Sequence, residues 1–373
     1  MDVQELKYWV GFNRITGIGR VRFSQLENYF GNLENAWKAG YDDLKKAGLD
    51  NIAVQAIVTE RPQISPDAEM EKLDRFGVKV FTYHDDRYPS RLKEIYDYPP
   101  VLYIRGSIES RDEYCVGVVG TRRATVYGRQ VTEEIVSELV RNGITVASGL
   151  ARGIDAVAHR AALAEGGRTL AVFACGLDTV YPAEHAELAR NIMSSGALIS
   201  EYPLGARPRS ENFPRRNRIL SGLSLGVLVV EAGETSGAII TANMALEQDR
   251  EVFAVPGSIL SPSSVGTNKL IQEGAKLVTC CNDILEELNL KSVTHQIEMK
   301  EVIPPSETEA TLLKHLSREP VHVDEVCRRA GLSISVVSST LAMMELKGMV
   351  RHVGNMNYVL ARESQETYRT YLE

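Results

Sequence analysis

The sequence lacks the long apolar segments of a membrane protein. Its apolar runs, such as residues 170–174 and 226–230, fall far short of the roughly 18 to 20 residues that a membrane-spanning helix needs. Residues 1–10 carry two acids and one lysine and do not show the basic-then-apolar layout of a secretory signal. We therefore expect a globular protein of the cytoplasm.

Metal and nucleotide motifs are missing as well. The five cysteines form no CxxC pair and no histidine-flanked spacing typical of a zinc site, so we expect no metal and interpret them as buried free thiols. Neither GxGxxG nor GxxxxGK[ST] occurs, which argues against a dinucleotide site and against a Walker ATP site. We expect no cofactor.

A general excess of positive charge is also absent. Lysine and arginine number 42 against 49 acidic residues, a net charge of −7. This balance excludes a protein that coats nucleic acid through a global positive field, but local basic patches remain available.

The 373 residues, 44% hydrophobic and 24% charged, are enough for two or three globular domains. Apolar spacing changes along the chain. It predicts a small helical domain over residues 1–61, an extended Rossmann-like domain over 62–288, a linker over 289–305 and a winged-helix domain over 306–362.

The second domain alternates short apolar strands with helices. The predicted strands cover residues 78–83, 101–104, 114–119, 145–147, 169–174, 197–200, 226–230, 252–255 and 276–278. Continuously apolar strands separated by helices are typical of a parallel sheet covered on both faces. The predicted fold class is α/β, a doubly wound, Rossmann-like, mostly parallel sheet.

In such a sheet, ligands bind beyond the carboxyl ends of the strands, where loops lead into helix N-termini. Three glycine-containing loops satisfy this condition and predict anion binding by backbone amides and by arginine. Their candidate residues are Gly120, Thr121, Arg122 and Arg123; Gly149, Arg152 and Gly153; and Thr235, Ser236 and Gly237. In the second loop we expect Asp155 to cap a helix and His159 to pack against it.

A basic run occupies residues 207–218. Five arginines stand against one glutamate, a net charge of +4, and we expect this run to form a loop. The candidates are Arg209, Phe213, Arg215, Arg216, Asn217 and Arg218. Basic groups interleaved with an aromatic ring fit a single nucleic-acid strand, with charge for phosphates and a ring face for a base. A solvated charge run is the alternative.

The outer domains give shorter signals. Residues 15–20 fit a SAM-like or helix-hairpin-helix turn that either holds one backbone phosphate or only packs two helices. The predicted recognition helix of the winged helix, residues 335–347, has one terminal lysine. A protein-interaction role is at least as compatible with this helix as DNA readout.

Seven motifs in one order resemble the DNA-processing protein A (DprA/Smf) family. They are VVGTRRATVYG, SGLARGIDAVAH, GLDTVYP, ISEYPLG, FPRRNRILSGLS, VVEAGETSGAIITANMALEQDREVFAVPG and GTNKLIQEGA. The resemblance extends from about residue 88 to residue 288. It includes a serine-to-threonine departure at Thr125, and Arg209 or Ser210 stands where family members often carry a lysine.

The resemblance implies a protein that is not an enzyme. Members bind single-stranded DNA, protect it, load the recombinase RecA onto it during natural transformation, and form homodimers through the Rossmann domain. By motif match, the family's DNA pocket falls on Gly120, Thr121, Arg122, Phe213, Arg216, Asn217 and Arg218.

Two other functions stay open at this point. One is a nucleotide phosphoribohydrolase, because the loop at residues 231–237 is similar to the phosphate loop of that group; Glu231 would then act on a base–sugar bond. Against it, the PGGxGT element is missing. The other is a non-catalytic adaptor that only docks proteins, with the winged helix as its interaction module.

Overall fold

A computed structural model of the chain describes residues 3–290, 307–317, 320–346, 350–354 and 356–360. The chain divides into two compact units, Met1–His295 and Gln296–Glu373. All but two residues of the predicted linker 289–305 lie outside the described residues.

The helices described in the first unit are α1 (Val3–Asn13), α2 (Arg20–Phe30), α3 (Leu33–Lys38), α4 (Tyr41–Lys46), α5 (Asn51–Glu60), α6 (Pro66–Arg75), α7 (Ser90–Lys93), α8 (Val126–Arg141), α9 (Ile154–Ala164), α10 (Ala186–Ser195), α11 (Asn212–Leu223), α12 (Gly237–Glu247), α13 (Val265–Gln272) and α14 (Cys281–Glu287). Among these residues, and those described later in the chain, no helix is long and apolar enough to cross a bilayer.

Its described strands form one sheet: β1 (Lys79–Thr82), β2 (Val101–Gly106), β3 (Cys115–Val119), β4 (Thr145–Ser148), β5 (Thr169–Val172), β6 (Ala197–Ser200), β7 (Gly226–Val229), β8 (Glu251–Ala254) and β9 (Lys276–Leu277). Strands β3 to β7 are buried at every residue. Such burial is expected of parallel strands covered on both faces.

The strand order is β1-β2-β6-β5-β4-β3-β7-β8-β9. Strands β6 through β9 in this order run parallel, whereas β1 pairs antiparallel with β2 and β2 with β6. The chain moves outward from β3 on one side and then returns to β7 on its other side. The predicted doubly wound, mostly parallel sheet is confirmed, and its switch point lies between β3 and β7.

The N-terminal helices share a hydrophobic core with one face of this sheet. Trp9 stacks on Phe23, with ring centroids 5.1 Å apart, and Asn13 of α1 accepts a hydrogen bond from Tyr103 of β2 at 2.8 Å. Burying a side chain the size of Phe23 stabilises a fold by about 1.5–3 kcal/mol. A separate domain ending at residue 61 stays a prediction.

The second unit contains α15 (Glu307–Leu313), β10 (Val321–His322), α16 (Val323–Ala330), α17 (Ile334–Leu346), β11 (Val350–His352) and β12 (Asn357–Leu360). The strands form a sheet in the order β10-β12-β11, in which β11 and β12 pair antiparallel as a hairpin. The side chains exposed on α17 include Ile334, Val336 and Met343. The predicted terminal Lys347 lies outside the described residues.

Two sequence predictions, on the basic run and on the cysteines, are wrong. Residues 212–218 form the first half of α11 and not a loop. Pro214 suggests a break, but proline is tolerated in the first turn of a helix, where its missing N–H has no intrahelical partner. Of the five cysteines predicted to be buried, Cys280, the N-cap residue of α14, is exposed and Cys327 is half-buried.

Candidate nucleic-acid interface

A cavity of about 790 Å³ opens beyond the carboxyl ends of β3 and β7, at the switch point of the sheet. Most of its walls come from three stretches that are distant in the sequence: the loop after β3, α11, and the start of α12. Ala151, Asp155 and Tyr181 also line it. Ten of the predicted site residues line it: Gly120, Thr121, Arg122, Arg123, Phe213, Arg216, Asn217, Thr235, Ser236 and Gly237.

The loop after β3 is held by backbone hydrogen bonds. The Thr121 amide donates to the Glu231 carbonyl at 2.7 Å, and the Thr121 carbonyl accepts from the Ile154 amide at 3.2 Å. A Cβ at Gly120 would lie 2.9 Å from the Ile154 Cβ, so only glycine permits this approach. The loop is thus fixed, while the side chains of Arg122 and Arg123 are exposed.

Glu231 holds the N-terminus of α8 in place through Thr125. It is 2% exposed, and its carboxylate accepts hydrogen bonds from the Thr125 amide at 2.9 Å and the Thr125 hydroxyl at 2.6 Å. Thr125 in turn caps α8 by accepting from the Gly128 amide. This arrangement leaves the carboxylate occupied at a helix N-terminus and gives no support to a role for Glu231 as the acid of a base–sugar cleavage.

Arg216 supplies a buried cation at the floor of the cavity. It is 4% exposed and donates to the Val172 carbonyl at the end of β5. Burial lowers the pKa of Arg216, and the nearby Asp155 carboxylate opposes that shift. A Cβ on Gly149 would overlap the guanidinium, which explains why a glycine stands there.

Asp155 does not cap its helix, so that prediction is wrong. The N-cap of α9 is Gly153, and the Asp155 carboxylate accepts from the Gly149 and Ala151 amides of the preceding loop at 3.1 and 3.3 Å. Burial raises the pKa of Asp155, while Arg216 counters the effect. Asp155 therefore shapes the second glycine loop and balances the charge of Arg216. His159, as predicted, is buried.

Two aromatic rings and one arginine form one side of the cavity. The Arg122 guanidinium carbon lies 5.5 Å from the Phe213 ring centroid, a distance at which a cation is attracted to a ring face. The Phe213 ring also contacts the Tyr181 ring; their centroids are 5.6 Å apart and their planes are inclined by 59°. The start of α12 completes the wall, with Ser236 as its N-cap.

Comparison with known proteins identifies the family of this chain. The family model described as DNA recombination-mediator protein A matches residues 79–289, and the model of the DprA winged helix domain matches residues 300–355. The chain belongs to the DNA recombination-mediator protein A family.

Relatives named Smf or DprA match between 62% and 96% of this chain. Protein Smf of Synechocystis sp. is 35% identical, over 96% of this chain and 99% of that protein. Protein Smf of Escherichia coli is 42% identical, over 83% and 84% of the two chains. The DNA processing protein DprA of Streptococcus pneumoniae is 45% identical, over 62% and 82%.

Solved structures of family members share the fold. DNA processing protein A from Streptococcus pneumoniae superposes with a TM-score of 0.67 at 38% identity, over 75% of this chain and 97% of that one. The Helicobacter pylori protein, described for its single-stranded DNA binding mode, superposes with a TM-score of 0.51 at 30% identity, over 57% and 96%.

Six of the predicted site residues do not line this cavity. Arg218 pairs with Glu201 and, at 3.1 Å, with Asp97. Arg152 forms a two-pronged pair with Glu184 at 2.7 Å, and Arg209 lies 3.7 Å from Glu211. The others are Gly149 beneath Arg216, Gly153 at a positive φ of 76°, and Arg215, exposed on α11.

One residue of the cavity, Tyr181, is not among the predicted site residues. Tyr181 lines the cavity, although it belongs to a loop between β5 and α10 whose sequence carries no glycine-rich phosphate signal and no basic run. Tyr181 stands within the motif GLDTVYP, but only the fold shows that its ring lies beside Phe213.

Proposed function

We propose that this protein binds single-stranded DNA in the switch-point cavity and acts without catalysis. The observation that carries the proposal is the meeting of Arg122, Arg216 and the N-terminus of α12 with the Phe213 ring in one cavity. Cations and helix amides suit phosphates, and an aromatic face suits an unstacked base. The single-stranded DNA binding mode described for the Helicobacter pylori relative supports the same function here.

The rest of the proposal concerns what binding achieves. We infer that the protein protects incoming single strands and loads RecA onto them in transformation or recombination, acting in the cytoplasm. The family name, a recombination mediator, supports this step. One cavity holds few nucleotides, so we also propose a homodimer through the Rossmann-like domain, in which two cavities on one strand raise affinity through effective concentration.

The test is fluorescence anisotropy with a labelled oligo-dT strand and a duplex of equal length over a series of salt concentrations. Arg122→Ala is compared with Arg190→Ala, since Arg190 is equally an exposed arginine but lies on α10 outside the cavity. We expect salt-sensitive binding of the single strand, weakened about tenfold and with a shallower salt slope in Arg122→Ala alone.

Absence of binding by the wild type at low salt would refute the proposal and favour the adaptor. Release of free base from a nucleoside monophosphate would favour the hydrolase instead, and Glu231→Gln would then abolish that release.

A further inference from the structure

Tyr181 is half exposed, at 49%, and presents its ring to the cavity beside Phe213. The two planes meet at 59° with centroids 5.6 Å apart, so the rings form a corner and not a closed stack. A planar base can stack on one wall of such a corner while its edge meets the other, the two arrangements that aromatic groups prefer.

We propose that Tyr181 and Phe213 together form a base-binding corner that holds one unstacked base of the strand. The inference rests on the proposed function and extends it to a residue outside the glycine loops and the arginine run. Arg122, which contacts the Phe213 ring, places a positive charge within reach of a phosphate of the same nucleotide.

The segment that carries Tyr181 is held in place before any ligand binds. On its N-terminal side, the Asp178 carboxylate accepts from the Gly205 amide at 2.8 Å. On its C-terminal side, His185 Nδ1 lies 2.9 Å from the Leu150 carbonyl oxygen, and Glu184 pairs with Arg152. Because these contacts already hold the segment, its backbone does not have to be ordered on binding, which favours affinity.

The corner is expected to bind a base by stacking on its face and not by hydrogen bonds to its edge. Asn217 is the cavity side chain best suited to a base edge, but its Oδ1 accepts from Arg216 Nε at 3.2 Å and its Nδ2 contacts the Gly237 carbonyl at 3.5 Å. Stacking is available to every base. The corner is therefore expected to accept thymine, cytosine and adenine with similar affinity.

The experiment compares a labelled oligo-dT strand with an abasic strand of the same length, which keeps the phosphates and removes the bases. Four proteins are titrated: wild type, Tyr181→Ala, Tyr181→Phe and Tyr29→Ala. Tyr29 is a matched control because it is 48% exposed and also contacts a phenylalanine, Phe30, but lies on α2 outside the cavity.

We expect Tyr181→Ala to bind oligo-dT about five- to tenfold more weakly than wild type and to bind the abasic strand unchanged. Tyr181→Phe retains the ring and the wild-type preference, and Tyr29→Ala behaves as wild type. Thermal unfolding of each variant checks that the fold is intact.

Wild-type affinity of Tyr181→Ala for oligo-dT would overturn the proposal, and so would an equal loss on both strands, since that loss would not involve a base. A Tyr181→Phe variant as weak as Tyr181→Ala would overturn it too, because the hydroxyl would then matter and not the ring. These results leave single-stranded binding by wild type in place; only failure of wild type to bind either strand refutes the proposed function itself.

Discussion

Glu231 and Thr125, 106 residues apart in the chain, are joined by two hydrogen bonds of 2.9 and 2.6 Å into one carboxylate. The pair connects the loops that follow the two strands at the switch point, β3 and β7. Because Arg122 precedes Thr125 and the loop of Thr235 follows Glu231, the pair sets how far apart two walls of the cavity stand.

Removing the Thr125 hydroxyl should therefore cost both stability and binding. In Thr125→Val the Glu231 carboxylate loses a buried donor and α8 loses its cap, and we expect a loss of about 1–3 kcal/mol in the free energy of unfolding. Urea denaturation measures this loss. Thr125→Ser keeps the hydroxyl and should stay near wild type, in keeping with the serine that family members often carry; equal losses in both variants would contradict the prediction.

Two of the three arginines in the FPRRNR run, Arg215 and Arg218, have different roles. Arg218 is 14% exposed on its side chain and pairs with Glu201, whereas Arg215 is exposed and points to solvent from α11. Leaving a mostly buried carboxylate unpaired is expensive, so Arg218→Ala should lower the free energy of unfolding by about 3–5 kcal/mol. Arg215→Ala should leave stability unchanged and reduce the salt slope of strand binding.

Chemical denaturation and anisotropy on both variants separate the two roles. The opposite pattern, with a stable Arg218→Ala that loses only strand affinity, would mean that Arg218 contacts DNA as the sequence suggests.

The fold was accessible from sequence because its signals are local. Apolar strands such as residues 226–230 and glycines at strand ends mark a parallel sheet and its carboxyl edge without knowledge of any distant residue. Helix α11 was missed because one of its buried residues is Arg216, whose burial depends on the Val172 carbonyl and on the space left by Gly149. No local pattern records such long-range partners.

Long-range contacts also explain why the positions of Tyr181 and Arg152 relative to the cavity could not be predicted from the sequence. Tyr181 is a single tyrosine in a loop, so no periodic pattern indicates its environment. Arg152 lies between glycines, which is typical of a phosphate ligand, but in the fold it forms an ion pair with Glu184. Residue type indicated the chemistry of this site, whereas tertiary contacts decide which arginines remain available for a ligand.

His159 makes stability depend on pH. It is fully buried, its Nδ1 lies 2.7 Å from the Thr169 hydroxyl oxygen, and that hydroxyl donates to the Val146 carbonyl, so Nδ1 must donate. Burial, reinforced by the nearby charges of His185 and Arg216, lowers the pKa of His159 from 6.5 to about 3. Below about pH 6.5, His159 therefore binds a proton in the unfolded chain but stays neutral in the folded chain until the pH approaches 3.

This contribution to stability is complete above pH 6.5 and is lost as the pH falls toward 3, by at most about 1.4 kcal/mol per pH unit. In His159→Asn the side-chain amide can still donate to Thr169, but no proton is taken up. Urea denaturation from pH 7.5 to 4.5 should show a shallower pH dependence for the variant than for wild type. Parallel curves would show that His159 does not titrate in this range.

Arg152 should act on binding through position and not through contact with DNA. Its guanidinium donates two hydrogen bonds to the Glu184 carboxylate. Because Glu184 lies three residues after Tyr181, loss of either partner removes the same restraint on the segment that carries Tyr181. We expect Arg152→Ala and Glu184→Ala to weaken oligo-dT binding by the same small factor, with the salt slope of wild type. The double variant should be no weaker than either single one, because the pair acts as a unit. If Arg152 instead bound a phosphate, Arg152→Ala would lower the salt slope by about one, while Glu184→Ala would release the guanidinium and strengthen binding.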